Sequence, residues 1–195
     1  MKYSQLLLLS ILLIFASCNT GDENSDLSEA DLTYYTETGA AIVEASFQTL
    51  SSNLKSAMLS GGVREAASYC NIAALPLTDS LSDKFGAKIK RTSLKLRNPL
   101  NAPDSMEAAV LEVFQKLDDL GMAIGPKVLL DDHNSIRYFA PIMINNPCLI
   151  CHGEIGTSML PENYALIQAL YPEDLAIGYK ENDLRGIWSI SLQQK

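Results

Sequence analysis

The spacing of apolar residues predicts two helices in the first half of the chain. Apolar positions recur three or four residues apart over 27–59, which is typical of one long amphipathic helix, and the glycine pair 61–62 ends it. A second helix is predicted over 63–74, where small apolar residues share one face with Cys70. Pro76 is expected to close or kink that segment.

Farther along the chain the pattern predicts short strands between helices. The predicted elements are a strand over 87–94, a turn-rich loop over 98–104 in which Asp104 caps the next helix, a helix over 105–120, strands over 127–130 and 135–144, a helix over 161–170 and a strand over 186–192. The two middle strands read as a hairpin, which favours an antiparallel sheet. The predicted fold class is therefore α+β, with helices beside the sheet.

The first residues have the character of an export signal. Lys2 is followed by an apolar stretch over 6–15 that is too short to span a bilayer. Ala16, Ser17 and Cys18 then resemble a bacterial lipobox, although an ordinary signal peptide with a chance cysteine remains an alternative. We expect 1–17 to be a lipoprotein signal peptide and 18–26 to be a lipidated cysteine with a flexible acidic tether.

The remaining residues, 27–195, are sufficient for a single domain with its own core. The chain of 195 residues has a net charge of −8, which becomes about −9 once the lysine in the signal peptide is removed. Such a charge repels nucleic acid, so nucleic acid is excluded as a partner. The expected location is a bacterial membrane reached through the lipid at Cys18, on its periplasmic face or at the outer-membrane surface.

The sequence Cys148-Leu149-Ile150-Cys151-His152 carries the clearest chemical signal, because C-x-x-C-H is the attachment pattern of haem c. Two thiols about one helical turn apart can bond the porphyrin, and the adjacent histidine can then bind the iron. Two alternatives stay open on these residues alone. One is a disulfide or redox pair of Cys148 with Cys151, and the other is a zinc site, for which no second C-x-x-C exists.

The residues alone leave the second iron ligand undecided. Histidine, methionine and cysteine are common side-chain ligands of haem iron. The candidates in this chain are His133, Met106, Met122, Met143, Met159 and Cys70.

Several stretches together resemble a family of exported haem c proteins with a PAS-like fold, long catalogued as a domain of unknown function. The matching stretches are Ala67-Ser68-Tyr69-Cys70, the run from Lys90 to Asp104, Tyr138-Phe139-Ala140-Pro141-Ile142, the Cys148 motif with Gly153, and Ala176-Ile177-Gly178-Tyr179 up to Gly186. The run Arg91-Thr92-Ser93-Leu94-Lys95-Leu96-Arg97-Asn98-Pro99 is the most specific. Met106 stands where the family has an aromatic residue.

The resemblance implies a PAS-like sheet and one covalent haem c. It also implies that Cys70 binds the iron opposite His152, because a cysteine of the N-terminal helical part does so in that family. Arg91, Lys95 and Arg97 are cations in an acidic protein, and they are candidates for contact with the haem propionates.

These features predict a non-enzymatic, lipid-anchored cytochrome that transfers single electrons to a redox partner the sequence does not name. A thiolate ligand would favour ferric iron and a low midpoint potential. The alternative is a haem-based sensor of redox state or of a diatomic gas, in which Cys70 leaves the iron and a partner protein receives the signal. A haem peroxidase is disfavoured, because it needs an open iron site and a distal acid–base pair.

Overall fold

The computed structural model describes residues 27–194, so the predicted signal peptide, the tether and Cys18 lie outside the described residues. The elements of that part are α1 (Glu29–Ile72), α2 (Ala74–Phe85), β1 (Lys88–Thr92), α3 (Ser105–Asp119), β2 (Lys127–Leu130), β3 (Ile136–Met143), α4 (Leu149–His152), α5 (Pro161–Leu170) and β4 (Leu184–Leu192). None of the helices in this range has the length and apolar character needed to cross a bilayer.

The four strands form one sheet in the order β1-β4-β3-β2, and every neighbouring pair is antiparallel. Successive side chains of a strand point to opposite faces, so the sheet has two apolar faces. Tyr138 and Ile190 pack with α1 and α2 on one face, and Phe139 and Ile187 pack with α3 on the other. The predicted α+β class, with an antiparallel sheet, flanking helices and a long N-terminal helix, is confirmed.

Helix α1 is broken at the glycine pair that was predicted to end it. Gly61 has φ −157° and ψ 23°, and Gly62 has φ 65° and ψ −151°, neither of which is helical. A positive φ with that ψ is accessible almost only to glycine. The residues after the break leave the sheet, and Ala67 packs there with Met159 and residues of α5.

The prediction that Pro76 closes or kinks the second helix is confirmed, because that helix ends at Ile72, four residues before the proline. A further helix, α2, begins at Ala74 and was not predicted. Pro76 lies in the first turn of α2. Backbone N–H groups in a first turn have no acceptor within the helix, so proline is tolerated there although it lacks an N–H. Gly86, with φ 60°, ends α2 in the left-handed conformation.

The predicted cap of α3 is confirmed. The backbone N–H of Glu107 donates to Asp104 Oδ1 at 2.8 Å, and the N–H of Asp104 donates to Glu107 Oε2 at 2.8 Å. Glu107 is 1% exposed, and its carboxylate also accepts from Lys90 Nζ at 2.6 Å and from Arg137 Nη2 at 3.2 Å. This buried charge cluster fixes α3 against the face of the sheet opposite α1.

Candidate haem site

A cavity of about 280 Å³ lies where α1 bends, at one end of the sheet. Both halves of α1, the ends of β1, β3 and β4, and the Cys148 segment contribute to its walls. The lining residues include Phe47, Leu50, Leu54, Tyr69, Cys70, Arg91, Arg97, Met143, Cys148, His152, Tyr171, Arg185 and Trp188. The fold thus brings Cys70 to the same cavity as two members of the C-x-x-C-H motif.

The motif follows β3 directly and folds into a tight turn and a short helix. Asn146 begins the 3₁₀ turn Asn146–Cys148, Pro147 is its second residue, and α4 continues the path through His152. The Cys148 thiol donates to Asn145 Oδ1 at 2.9 Å. This helical path places the two motif cysteines about one turn apart, as attachment to one edge of a porphyrin requires.

The His152 ring is held in one tautomer by the loop before β4. Its Nδ1 lies 2.7 Å from the carbonyl oxygen of Ala176. A carbonyl can only accept, so Nδ1 carries the proton and Nε2 keeps its lone pair. Burial, and then the positive charges of Arg97 and Arg185, lower the pKa of His152 well below its usual value. The ring is therefore neutral, as a metal ligand must be.

The cysteines are half-buried thiols. Burial raises the pKa of Cys70, while Arg91 and Arg97 act in the opposite direction. Burial also raises the pKa of Cys151, whose side chain packs beside the Ala67 and Met159 cluster. Cys70 and Cys148 also raise the pKa of Cys151, which agrees with the three sulfurs lying near one another, although Cys151 is not among the residues that line the cavity.

The three cations proposed from the sequence have different surroundings. Arg91 lines the cavity, with its guanidinium carbon 5.7 Å from the centre of the Trp188 ring. Arg97 also lines the cavity and pairs with Asp174 at 3.0 Å. Lys95 is not among the lining residues, and its Nζ donates to Ile177 O at 3.0 Å. Contact with a propionate remains a prediction for all three.

The other candidate iron ligands differ in whether they lie at the cavity. Met143 is the one methionine among the described residues that line the cavity. His133 lies in the exposed turn before β3. Met159 is 1% exposed within the apolar cluster at α5, and Met122 is 55% exposed.

Two findings concern the zinc and disulfide alternatives. No group of three or more His, Cys, Asp or Glu side chains within 27–194 is arranged to hold a metal ion. Cys70, Cys148 and Cys151, the cysteines in this range, are not joined by disulfides.

Sequence analysis missed four groups that the fold places at the site. Arg185 and Trp188 of β4 line the cavity, and Asp174 lies behind the motif with a side chain that is 0% exposed. The Tyr69 hydroxyl is buried beside Cys70 with no hydrogen-bond partner in the described part of the chain. Tyr69 and Arg185 belonged to or adjoined stretches that resemble the haem c family, but no local pattern distinguished Asp174.

The fold is that of a known family. The chain belongs to the Tll0287-like family, whose model matches residues 26–193. Among solved structures, the chain is similar to the crystal structure of the cyanobacterial heme-protein Tll0287, with a TM-score of 0.56 and 22% identity. That match covers 87% of this chain and 98% of that chain. None of the curated proteins matches the chain.

Proposed function

We propose that this protein is an exported, lipid-anchored c-type cytochrome that transfers single electrons. Cys148 and Cys151 bind one haem covalently, and His152 and Cys70 are its axial ligands. One observation carries the proposal: Cys70, Cys148 and His152 line one cavity although up to 82 residues separate them. The similarity to a cyanobacterial heme-protein gives independent support for haem.

The residues around the cavity fit this cofactor. Two thiols at the motif spacing suit two thioether bonds, and His152 Nε2 is free to bind a metal ion because Nδ1 is engaged. Phe47, Leu54 and Trp188 provide apolar walls, as a porphyrin needs. When bound, haem would supply a one-electron ferric–ferrous couple.

Cations at the cavity suit the haem propionates. No carboxylate within residues 27–194 forms an ion pair with Arg91, so its charge is available to an anion in the cavity. Arg185 also lines the cavity and forms no ion pair with a carboxylate in that range. Its Nη1 donates to Lys95 O at 3.2 Å, and its side chain also bonds the Tyr179 side chain. We propose Arg91 as the principal propionate contact, with Arg185, Arg97 and Lys95 as further candidates.

Cys70 is the proposed second ligand because its thiol is half-buried at the cavity between two cations. A thiol releases its proton to solvent when it binds a metal ion as a thiolate, and Arg91 and Arg97 would favour that anion. An anionic sulfur ligand stabilises ferric iron, so we expect a low midpoint potential.

Covalent attachment is tested first by mass spectrometry of the protein produced in a host with haem c maturation. The expected result is the added mass of one haem on the peptide that contains Cys148 and Cys151. The Cys148→Ser/Cys151→Ser variant should lack that mass and a haem stain after denaturing electrophoresis. A wild-type chain with no added haem would overturn the proposal.

The second ligand is tested by spectroscopy of Cys70→Ala, with Met143→Leu as the matched control. Both replace a sulfur-containing side chain at the cavity. Only Cys70→Ala should lose the low-spin ferric spectrum of a thiolate-bound haem. Loss of that spectrum in Met143→Leu instead would assign the ligand to the methionine.

Redox potentiometry with spectra of both states distinguishes electron transfer from sensing. An electron carrier keeps both ligands in both states, and its reduced form ignores carbon monoxide. A reduced protein that binds carbon monoxide as Cys70 leaves would favour the sensor instead.

The lipid anchor is tested by fractionation of cells that carry Cys18→Ser. The wild type should sediment with membranes, and the variant should be recovered in the soluble exported fraction. Equal recovery in membranes would contradict the anchor while leaving the haem assignment intact.

A further inference from the structure

Arg97 and Asp174 form a buried ion pair against the main chain of the haem motif. Arg97 Nε and Nη2 both donate to Asp174 Oδ2, at 3.2 and 3.0 Å. The two side chains are 14% and 0% exposed, so water screens the pair little. Arg97 Nη2 also donates to the carbonyl oxygen of Cys151 at 2.5 Å. The pair is thereby attached to the residue that precedes His152.

The same pair also holds the partner of the His152 ring. Ala176 O accepts from His152 Nδ1 at 2.7 Å and from Arg97 Nη2 at 3.1 Å. The N–H of Ala176 donates to Asp174 Oδ1 at 2.8 Å. Both polar groups of Ala176 are therefore fixed by the ion pair, and the ring cannot rotate without losing its bond to this fixed carbonyl.

We infer that Arg97 and Asp174 are positioning residues that fix the orientation and the electrostatic surroundings of the His152 imidazole as an iron ligand. This inference rests on the proposed function and deepens it, because it names groups outside the motif that control the ligand. The Arg97 nitrogens that make these contacts are Nε and Nη2, and Nη1 donates no hydrogen bond to any described residue. The role is therefore compatible with the predicted propionate contact of Arg97.

Because the pair is buried and balanced, removing either partner leaves an uncompensated charge close to the iron ligand. A positive charge there favours ferrous iron, and a negative charge favours ferric iron. Arg97→Gln should therefore shift the midpoint potential to a more negative value, and Asp174→Asn should shift it to a more positive value. The double variant, which carries neither charge, should lie closer to the wild type than either single variant does.

The experiment is redox potentiometry of the haem-loaded full chain and these three variants. Glu173→Gln is the matched control for Asp174→Asn, because it removes an exposed acid from the neighbouring position. Lys180→Gln is the control for Arg97→Gln, because it removes an exposed cation from the loop that holds Asp174. Both controls should keep the wild-type potential. Shifts of the same sign in both single variants, or no shift, would overturn the inference.

Arg97→Lys provides a second test should Arg97→Gln fail to load haem. Lysine keeps the charge but lacks the planar fork that contacts Asp174 and two carbonyls together. The midpoint potential should stay near that of the wild type, while the low-spin electron paramagnetic resonance signal should broaden as the ring loses its fixed orientation. A signal as sharp as that of the wild type would contradict the positioning role.

Failure of the proposed function has a different signature. A wild-type chain without covalent haem refutes the cytochrome, and the ion pair is then tested in that haem-free chain by nitrogen NMR of the histidine ring. The wild type should show the tautomer protonated at Nδ1, and Arg97→Gln should show a mixture. An unchanged tautomer in Arg97→Gln would refute the positioning role by itself.

Discussion

At the scale of single residues, the motif's geometry depends on close approach of its own main chain. Gly153 follows His152 and ends α4, where its N–H donates to Leu149 O at 2.9 Å. A Cβ on Gly153 would lie 2.6 Å from that same carbonyl oxygen and would overlap the Ser158 side chain. The carbonyl belongs to the backbone of α4 and cannot move away without shifting the motif.

We therefore expect Gly153→Ala to destabilise the protein by about 1–3 kcal/mol and to lower the fraction of chains that carry haem. Denaturant unfolding monitored by circular dichroism measures the first effect, and the ratio of haem absorbance to protein measures the second. Gly125→Ala is the control, because a Cβ there meets nothing within 4 Å. Equal stability of the two variants would show that the motif tolerates the side chain.

The sequence identified the residues of the motif but not the groups that position them. Cys148, Cys151 and His152 lie within five successive residues, so their spacing alone suggested a haem. Asp174 is 77 residues from Arg97, and its importance arises only where the loop before β4 folds back on the motif. The choice of Cys70 required the resemblance, because helical periodicity made it one small apolar-face residue among several.

At the scale of elements, predictions succeeded where a local signal had a local physical cause. Asp104 was predicted as a cap because its side chain can bond the first free N–H groups of α3, and it does so. Gly62 interrupts α1 because its backbone is left-handed. Pro76 marked the end of the helix before it, but α2 was missed because a proline that stops one helix is equally suited to the first turn of the next. Local pattern could not distinguish these two uses.

The Asp104 cap of α3 should make the stability of the fold depend on pH. Partial burial opposes ionisation of Asp104, but bonds from the Glu107 N–H and from Arg137 outweigh it and lower the pKa of Asp104 below 3.8. A carboxyl whose pKa is lower in the folded state stabilises the fold above its unfolded pKa. That contribution is lost as the pH falls through the folded value.

Asp104→Asn keeps a good N-cap and removes only the charge. The wild type should therefore be more stable than Asp104→Asn at pH above about 4, and the difference should shrink as the pH falls toward about 2. Urea unfolding across that range measures it. Asp119→Asn, an exposed acid at the other end of α3, is the control for losing one negative charge. A difference that stays constant with pH would argue against the role of the charge.

At the scale of the whole molecule, the break in α1 divides this helix into two parts with different packing partners. The residues before Gly61 cover the sheet, with Tyr35 and Ile42 in the main core. The residues after Gly62 pack on α5 and carry Cys70 to the cavity. A straight helix would carry Cys70 along the original axis, away from the motif. The fold thus joins a sheet core and a helical subcluster, and the cavity lies where they meet.

Trp188 reports on that junction because it is the one tryptophan of the chain, it lines the cavity and it is 5% exposed. A haem in the cavity would absorb the energy of an excited indole, so the fluorescence of the loaded protein should be strongly quenched. The haem-free Cys148→Ser/Cys151→Ser variant should emit brightly. Unfolding in guanidinium should restore much of the emission of the loaded protein while the haem remains attached, because Trp188 then moves away from the motif.

The unfolding step separates occupancy of the cavity from attachment alone. A haem that hangs from the motif into solvent would still stain and still add mass, but it would lie farther from Trp188 and quench its fluorescence less than a haem in the cavity. A mixture of haem peptide and free tryptophan at equal concentration corrects for simple absorption of light. If folded and unfolded loaded protein emit equally after that correction, the haem lies outside the cavity, and His152 and Cys70 cannot share its iron.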